Sequence, residues 1–338
     1  MNDTILITGG TGYIGSHTAI EFMNAGYKVV LLDNLSNSSE KVLARIQALC
    51  GPNFYFINGD IRNESCLDQI FQTHKIDGVI HFAGLKAVGE SMIDPLLYFD
   101  NNVVGSLSLL RAMVRADIKN IVFSSSATVY GDPIHVPIPE FAQLRVNNTY
   151  GRSKLMCEDI LRDLQMSDSA WRVAILRYFN PVGAHVSGLI GEHPHGSPNN
   201  LMPFITQVAV GKREYLSIFG DDYPTVDGTG VRDYIHVTDL AQGHLAAWQH
   251  LVKDRASITV NLGTGRGVSV KELIAAFTKV TGVTVPYQIV SRREGDVPSY
   301  FADTTFAEQV LGWKAKLGIE RMCEDAWRWQ SQNPDGYR

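Results

Sequence analysis

Ile5-Leu6-Ile7, a short apolar run rich in β-branched residues, leads directly into Thr8-Gly9-Gly10-Thr11-Gly12-Tyr13-Ile14-Gly15, and a helical pattern follows. A strand, a Gly-rich turn and a helix start in that order form a cradle for phosphate. The first N–H groups of a helix have no intrahelical acceptor, the macrodipole is positive there, and missing Cβ atoms let a pyrophosphate come close. Gly9, Gly12 and Gly15 have the spacing G-x-x-G-x-x-G rather than G-x-G-x-x-G. In a chain with 30 glycines the pattern alone is also that of an ordinary tight strand–helix turn.

The next segment narrows the choice. Lys28-Val29-Val30-Leu31-Leu32-Asp33 reads as a second buried strand ending in an acid, followed by Asn34. Asp33 lies 18 residues beyond Gly15, near the roughly 20-residue separation at which a carboxylate accepts from an adenosine ribose 2′-OH. A carboxylate there repels a 2′-phosphate, so the pair of features favours NAD over NADP. The plainer alternative for Asp33 is an acidic helix N-cap in a connecting loop.

With 338 residues, 45% of them hydrophobic, the chain is globular, large enough for a substantial core and expected to form two lobes. A net charge of −5 and the lack of any Lys/Arg-rich run argue against a nucleic-acid surface. Cys50, Cys66, Cys157 and Cys323 are far apart with no C-x-x-C, which suggests neither a disulfide frame nor a zinc site. His193-Pro194-His195 reads as a polar loop, because no third ligand has suitable spacing, and no metal is expected. A first strand starting near residue 4 leaves no room for a signal peptide, and no apolar run reaches the roughly 18 residues of a membrane span. A soluble, cytoplasmic protein with no membrane partner is the expectation.

Apolar strand candidates at Thr4–Thr8, Lys28–Asp33, Phe54–Asn58, Gly78–Phe82, Asn120–Ser124 and Val173–Phe179 alternate with helical patterns near 14–25, 40–49, 64–74, 97–116 and 150–165. Continuous apolar strands alternating with helices predict an α/β fold, a Rossmann-type doubly wound parallel sheet covered on both faces. Ligands of such sheets bind beyond the carboxyl ends of the strands. After Asn180 the texture changes: residues 181–200 are rich in Gly, Pro, His and Asn, and shorter elements follow. These are helices near 201–211, 238–250, 269–280 and 318–330 and strands at 216–219 and 258–262. The expected division is a dinucleotide-binding domain over 1–180 and a smaller α/β lobe over 181–338.

Tyr150-Gly151-Arg152-Ser153-Lys154 begins a helix, and i,i+4 spacing puts phenol and ammonium on one face. Chance alone produces such pairs in a chain with 13 tyrosines, so position carries the argument. The pair follows a strand ending in Ser124-Ser125-Ser126, in a chain that already has a dinucleotide turn. A phenol acting as a base near neutrality must be stabilised as phenolate by about 4 kcal/mol, and one cation about 4 Å away at an effective dielectric near 20 supplies that much. Lys154 and an oxidised nicotinamide ring meet the need, Lys154 also reaches ribose hydroxyls, and Ser126 hydrogen-bonds the alcohol being oxidised. The competing readings are a surface Tyr–Lys pair and a serine-capped strand end.

Five long blocks, in order, carry a resemblance that runs nearly end to end: residues 8–17, His81-Phe82-Ala83-Gly84-Leu85-Lys86-Ala87-Val88-Gly89-Glu90, residues 123–131, residues 176–184 and residues 227–236. They resemble the extended short-chain dehydrogenase/reductase family, in its nucleotide-sugar epimerase branch. The resemblance implies that Gly9, Gly12, Tyr13, Ile14, Gly15, Asp33, Asn34, Asp60, Ile61, Phe82, Ala83, Gly84, Lys86, Asn101 and Phe179 line an NAD site. It implies that Ser126 and Tyr150 flank the sugar O4 with Lys154 behind them, Ser126, Tyr150 and Lys154 also touching the cofactor and Lys86 the substrate. In the second lobe it implies that Asn180, Asn200, Phe219, Arg232, Arg293 and Asp296 hold a uridine diphosphate, with Leu201, Ser217, Ile218 and Tyr234 beside them and Tyr300 walling the sugar pocket. Guanidinium forks suit diphosphate oxygens.

The implied activity is reversible inversion at C4 of a UDP-sugar, in galactose metabolism, through a 4-keto sugar and tightly held NAD, in a homodimer. Helices 97–116 and 150–165 are the candidate interface elements. A nucleotide-sugar 4,6-dehydratase or decarboxylase also starts by oxidising C4, but the dehydratase needs a carboxyl pair, and here Ala127 and Thr128 follow Ser126. A catalytically silent NAD-sensing protein is the remaining alternative, against which the intact Ser126, Tyr150 and Lys154 stand.

Overall fold

The first apolar runs become parallel strands because both of their faces are covered. In the computed structural model, which describes residues 3–193, 196, 198–293 and 295–337, β1 (Thr4–Thr8), β2 (Lys28–Asp33), β3 (Phe54–Asn58), β4 (Gly78–His81), β5 (Asn120–Ser126) and β6 (Arg172–Tyr178) lie in one sheet. Ile5, Leu6 and Ile7 are fully buried, as are Val29 to Leu32, which is why these strands carry no polar alternation. Between them, helices such as Tyr13–Asn24, Glu64–Thr73 and Thr149–Ser167 make the crossovers. The strand order is β3-β2-β1-β4-β5-β6. Ile7 pairs with Leu31 on one side and Ile80 on the other. The direction of winding therefore reverses between β1 and β4, and a ligand crevice opens beyond their carboxyl ends.

Two features depart from the expected pattern. The run at 258–262 joins this same sheet as its seventh strand, beside β6, rather than belonging with the later elements. The stretch 97–116 is not one α-helix: Pro95–Tyr98 and Gly105–Arg115 are α-helical, with a π-helical turn at Phe99–Val104 between them. The wider turn accommodates a side chain, Asn102, which points inward and bonds another segment.

Two compact units divide the chain. One comprises Met1–Gly131, Gln143–Arg177 and Ala241–Val260, the other Asp132–Ala142, Tyr178–Leu240 and Asn261–Arg338. Segments 132–142 and 241–260 thus cross the cut expected at residue 180. In the first unit, Leu6, Val30, Val79, Ile121, Phe123 and Val173 pack with helix residues such as Leu109, Met113 and Leu161.

The second unit is built from short strands. With the remaining strands numbered in chain order, β7 (Asn180–Val182) pairs with β10 (Tyr234–His236), and β8 (Leu216–Phe219) with β13 (Tyr287–Val290). β9 (Val231–Arg232) lies between β12 (Val268–Ser269) and β14 (Ser299–Tyr300), the strand 258–262 being β11. Helices Leu201–Ala209, Val270–Thr281 and Ile319–Gln332 cover a core that includes Ile205, Phe277, Met322 and Cys323. Among the described residues no helix is long and apolar enough to cross a membrane, and all four cysteines are free thiols.

Candidate active site

The glycine turn closes as the sequence predicts. Gly9 adopts φ +69°, and a Cβ on Gly15 would stand 2.1 Å from the Gly9 carbonyl oxygen, so side chains are excluded where the backbone doubles back. Gly12 is the N-cap of the helix Tyr13–Asn24, with no side-chain cap, leaving the first turn of the helix to present its backbone. Asp33, 8% exposed, ends β2 beside this turn. Its Oδ2 accepts from Thr11 N at 3.1 Å, and its Oδ1 from Leu35 N and Ser38 Oγ, both at 2.9 Å. It is not a helix N-cap. The carboxylate that was expected to select NAD also braces the turn.

Three more segments line the same end of the sheet. Asp60 is held by Arg62 through Nε at 2.9 Å and Nη2 at 2.8 Å, and by Asn34 Nδ2 at 2.9 Å. The Arg62 hydrogen bond is the main reason its carboxyl lies well below the usual carboxylate range. Ile61 is buried while Asn34 and Lys86 are exposed. Beyond β4, Phe82 N and Ala83 N bond the Thr8 carbonyl and hydroxyl at 3.1 and 3.2 Å. Gly84 and Leu85 are then drawn to the π-helical turn. Asn102 Oδ1 accepts from Leu85 N at 2.8 Å, and its Nδ2 donates to Leu85 O and to Ser153 Oγ, both at 3.0 Å. The predicted Asn101 donates to Asn102 Oδ1 at 3.0 Å.

Beneath this loop, His81 bridges Thr8 Oγ1 at 2.7 Å and Ser106 Oγ at 2.9 Å. Ser106 donates to the Asn102 carbonyl at 2.6 Å, so it accepts from His81, whose proton then sits on Nε2. Burial, then the Lys154 charge, push the imidazole down to about 3, so it is neutral.

Ser126, Tyr150 and Lys154 converge at the end of β5. Asn148 caps the helix Thr149–Ser167 through Gly151 N at 2.8 Å. A Cβ on Gly151 would meet the Thr128 carbonyl oxygen at 3.0 Å, so the helix start presses on the 3-10 turn Ala127–Tyr130 that Ser126 caps. Ser126 beside the Tyr150 phenol favours its ionisation, but burial outweighs this and pushes the phenol up to about 12. Lys154 donates to the Ser124 carbonyl at 2.8 Å and lies 5.0 Å above the Phe123 ring. Burial brings its ammonium down to about 8, against the Cys157 and Glu158 charges that raise it. On balance the protein's own groups therefore leave the phenol raised. Lys154 is no surface lysine either, being 5% exposed.

In the second unit most of the predicted substrate residues fall on the short sheets. Arg232 and Tyr300 are register partners across β9 and β14, and Asn180 and Tyr234 across β7 and β10. Arg232 is aimed by its own Val231 carbonyl and that of Val297, each at 2.9 Å, and by Asp296 at 2.7 Å. Arg293 lies 3.8 Å above the Phe219 ring, on β8 with Ser217 and Ile218. Phe179 and Tyr300 rings are 5.7 Å apart. Asn200, N-cap of the helix that starts at Leu201, donates to Glu192 Oε1 at 2.9 Å. Tyr234 and Ile218 are instead packed in the core, and burial raises the Tyr234 phenol. His193 stacks edge-on to Tyr337 at 5.7 Å, whereas His195 lies outside the described residues. Among those residues, no His, Cys, Asp and Glu side chains gather as a metal site.

The family described as GDP-mannose 4,6 dehydratase matches residues 6–326. A UDP-glucose 4-epimerase of Bacillus subtilis is 55% identical over 334 residues, spanning 99% of this chain and 98% of that one. The chain belongs to the UDP-glucose 4-epimerase family. Solved structures agree with this. The UDP-glucose-4-epimerase of Stenotrophomonas maltophila, with bound NAD and formylated UDP-arabinopyranose, superposes with a TM-score of 0.97 at 52% identity, covering 98% of this chain and 99% of that one. That of Bifidobacterium longum, in complex with NAD+ and UDP, superposes at 0.94 with 49% identity and the same coverage.

Within the UDP-glucose 4-epimerase family reading, the sequence analysis missed Thr8, His81, Asn102 and Ser153, which hold the Phe82–Lys86 loop. Asn102 sits beside the predicted Asn101, but an unbroken helical pattern hides the π-turn that aims it. Arg62 was missed because an exposed arginine two residues from an acid carries no signal of its own.

Proposed function

We propose that this chain is an NAD-dependent isomerase that interconverts UDP-glucose and UDP-galactose at C4. One observation carries the reading: a serine beside a buried tyrosine, with a buried lysine one turn further on, at the carboxyl end of β5.

Tyr13, Ile14 and Gly15 fit a pyrophosphate, since the turn's close approach leaves backbone where a side chain would stand. Asp33 fits the adenosine ribose, Asp60 and Ile61 the far end of the crevice, and Lys154 the second ribose. NAD, when bound, takes and returns the C4 hydride and contributes a positive ring. Taking the phenol from about 12 to neutrality requires about 7 kcal/mol, whereas one cation about 4 Å away contributes about 4 kcal/mol. Lys154 is already counted in that value, so the charge that bound NAD adds brings the phenol only part of the way, and it is in the loaded site that Tyr150 accepts a proton. It then takes the O4 proton while Ser126 bonds the same oxygen, and it gives the proton back after the 4-keto sugar has turned over.

Arg232, Arg293, Asn180, Asn200 and Asp296 grip the uridine diphosphate while the sugar stays loosely held. Binding energy spent on the nucleotide leaves the sugar free to turn. Elimination of water at C5–C6, the dehydratase route, requires carboxyl groups that Ala127 and Thr128 do not supply. Thr128 instead bonds Ser126 Oγ at 2.7 Å.

The chain is read as a cytoplasmic homodimer. Ile93 is 86% exposed and Leu96 76%, and Met92, Leu97, Val104 and Met156 add exposed apolar surface on helices 88–98 and 149–167 and the π-turn. Such a face suits a second copy of the chain, and sedimentation should give twice the 37.4 kDa chain mass. The activity is tested by incubating the purified protein with UDP-galactose and identifying the product sugar. UDP-glucose supports the reading, and a 4-keto-6-deoxy sugar or unchanged substrate contradicts it.

A further inference from the structure

One buried ion pair grips the chain on both sides of Ser126. Glu158 stands one helical turn beyond Lys154 and is fully buried. Its Oε1 accepts from Ser125 Oγ at 2.5 Å and Arg177 Nε at 3.0 Å, and its Oε2 from Arg177 Nη2 and Arg162 Nη2, each at 2.6 Å. Arg177, on β6, is 3% exposed. Its Nη1 donates to the Tyr130 hydroxyl at 3.1 Å, and its guanidinium lies 5.0 Å from the centre of the Tyr130 ring. Ser125 precedes Ser126, and Tyr130 closes the 3-10 turn that Ser126 caps.

A core gains little stability from such a pair, because apolar residues of like volume do as well or better there. What the pair adds is direction, since a guanidinium fork on a carboxylate fixes both partners in plane. A second fixed point lies nearer the helix start, where Gly151 touches Thr128. Ser126 is thus held between two contacts with the one helix that carries Tyr150 and Lys154.

We propose that Glu158 and Arg177 are positioning residues that hold the Ser126 hydroxyl against the Tyr150 phenol, by locking the end of β5 and its 3-10 turn to the helix Thr149–Ser167. The inference rests on Ser126 and Tyr150 being the catalytic pair.

Two variants test it. Ser125→Ala deletes one hydrogen bond and leaves the ion pair whole. Glu158→Leu with Arg177→Met replaces the pair by apolar side chains. Each is purified with its bound NAD, and kcat, KM for UDP-galactose, NAD content and Tm are measured. Misplacement by a fraction of an ångström should lower kcat about 10-fold in Ser125→Ala and about 100-fold in the double variant, with KM and NAD content unchanged. A double variant with the Tm and kcat of the wild type overturns the proposal, as does a Ser125→Ala protein with wild-type kcat, even if the double variant fails to fold. Loss confined to KM overturns it as well. Ser126→Ala and Tyr150→Phe are run beside them. Wild-type kcat in those two means that the catalytic reading has failed, and a loss in those two alone means that only the positioning has failed.

Discussion

Tyr150 is the group on which turnover should depend most. Tyr150→Phe keeps the ring in its packed site and removes the proton acceptor, so kcat should fall by about 10²–10⁴-fold while UDP still protects the protein against heat. Near-normal turnover would remove Tyr150 as the base. Tyr300, register partner of Arg232, is the residue proposed to limit the size of sugar accepted. A phenol ring leaves little room for an N-acetyl group, so kcat/KM should be good for UDP-galactose and poor for UDP-N-acetylgalactosamine, and Tyr300→Cys should raise the second. Equal rates on both sugars in the wild type would end that assignment. The i,i+4 pair and the three serines were readable because residue type and spacing are local facts. That burial raises the Tyr150 phenol, and that Tyr234 belongs to the core, depends on partners distant in sequence. No spacing reveals them.

The strands were legible because a segment buried on both faces carries a continuous apolar run, as β1 and β2 do, and the edge strand β3 keeps its apolar run although Tyr55 is exposed. The π-turn was not, because the apolar pattern through 97–116 continues across it. Its purpose lies in Asn102, which ties the loop after β4 to Ser153, and in the buried chain Thr8–His81–Ser106 below. That chain makes the fold sensitive to acid. His81 is held down to about 3 in the folded protein, from its ordinary 6.5, by burial and then by Lys154. Between these pH values the unfolded chain binds the extra proton. The stability that the neutral ring contributes is complete above about pH 6.5 and is lost progressively as pH falls toward 3. Tm measured from pH 7.5 down to pH 4.5 should fall less steeply in His81→Gln than in the wild type, although the variant starts lower. Parallel slopes would place the acid sensitivity elsewhere.

For the molecule as a whole, five blocks in order already pointed to the family, and 55% identity over the full chain bears it out. Less legible was which unit a segment joins. Residues 132–142 and 241–260 cross the boundary expected at 180, and the strand at 258–262 completes the first sheet. Strand propensity states that a run is extended but not beside which strand it will lie. The account's central claim concerns a hydrogen: the one removed from C4 returns to C4 of the same sugar after the ring has turned over. UDP-galactose carrying deuterium at C4 is incubated with the purified protein in ordinary water, and the product is examined by NMR and mass spectrometry. The account predicts UDP-glucose with deuterium retained at C4. UDP-glucose that has exchanged the label for solvent hydrogen would contradict it.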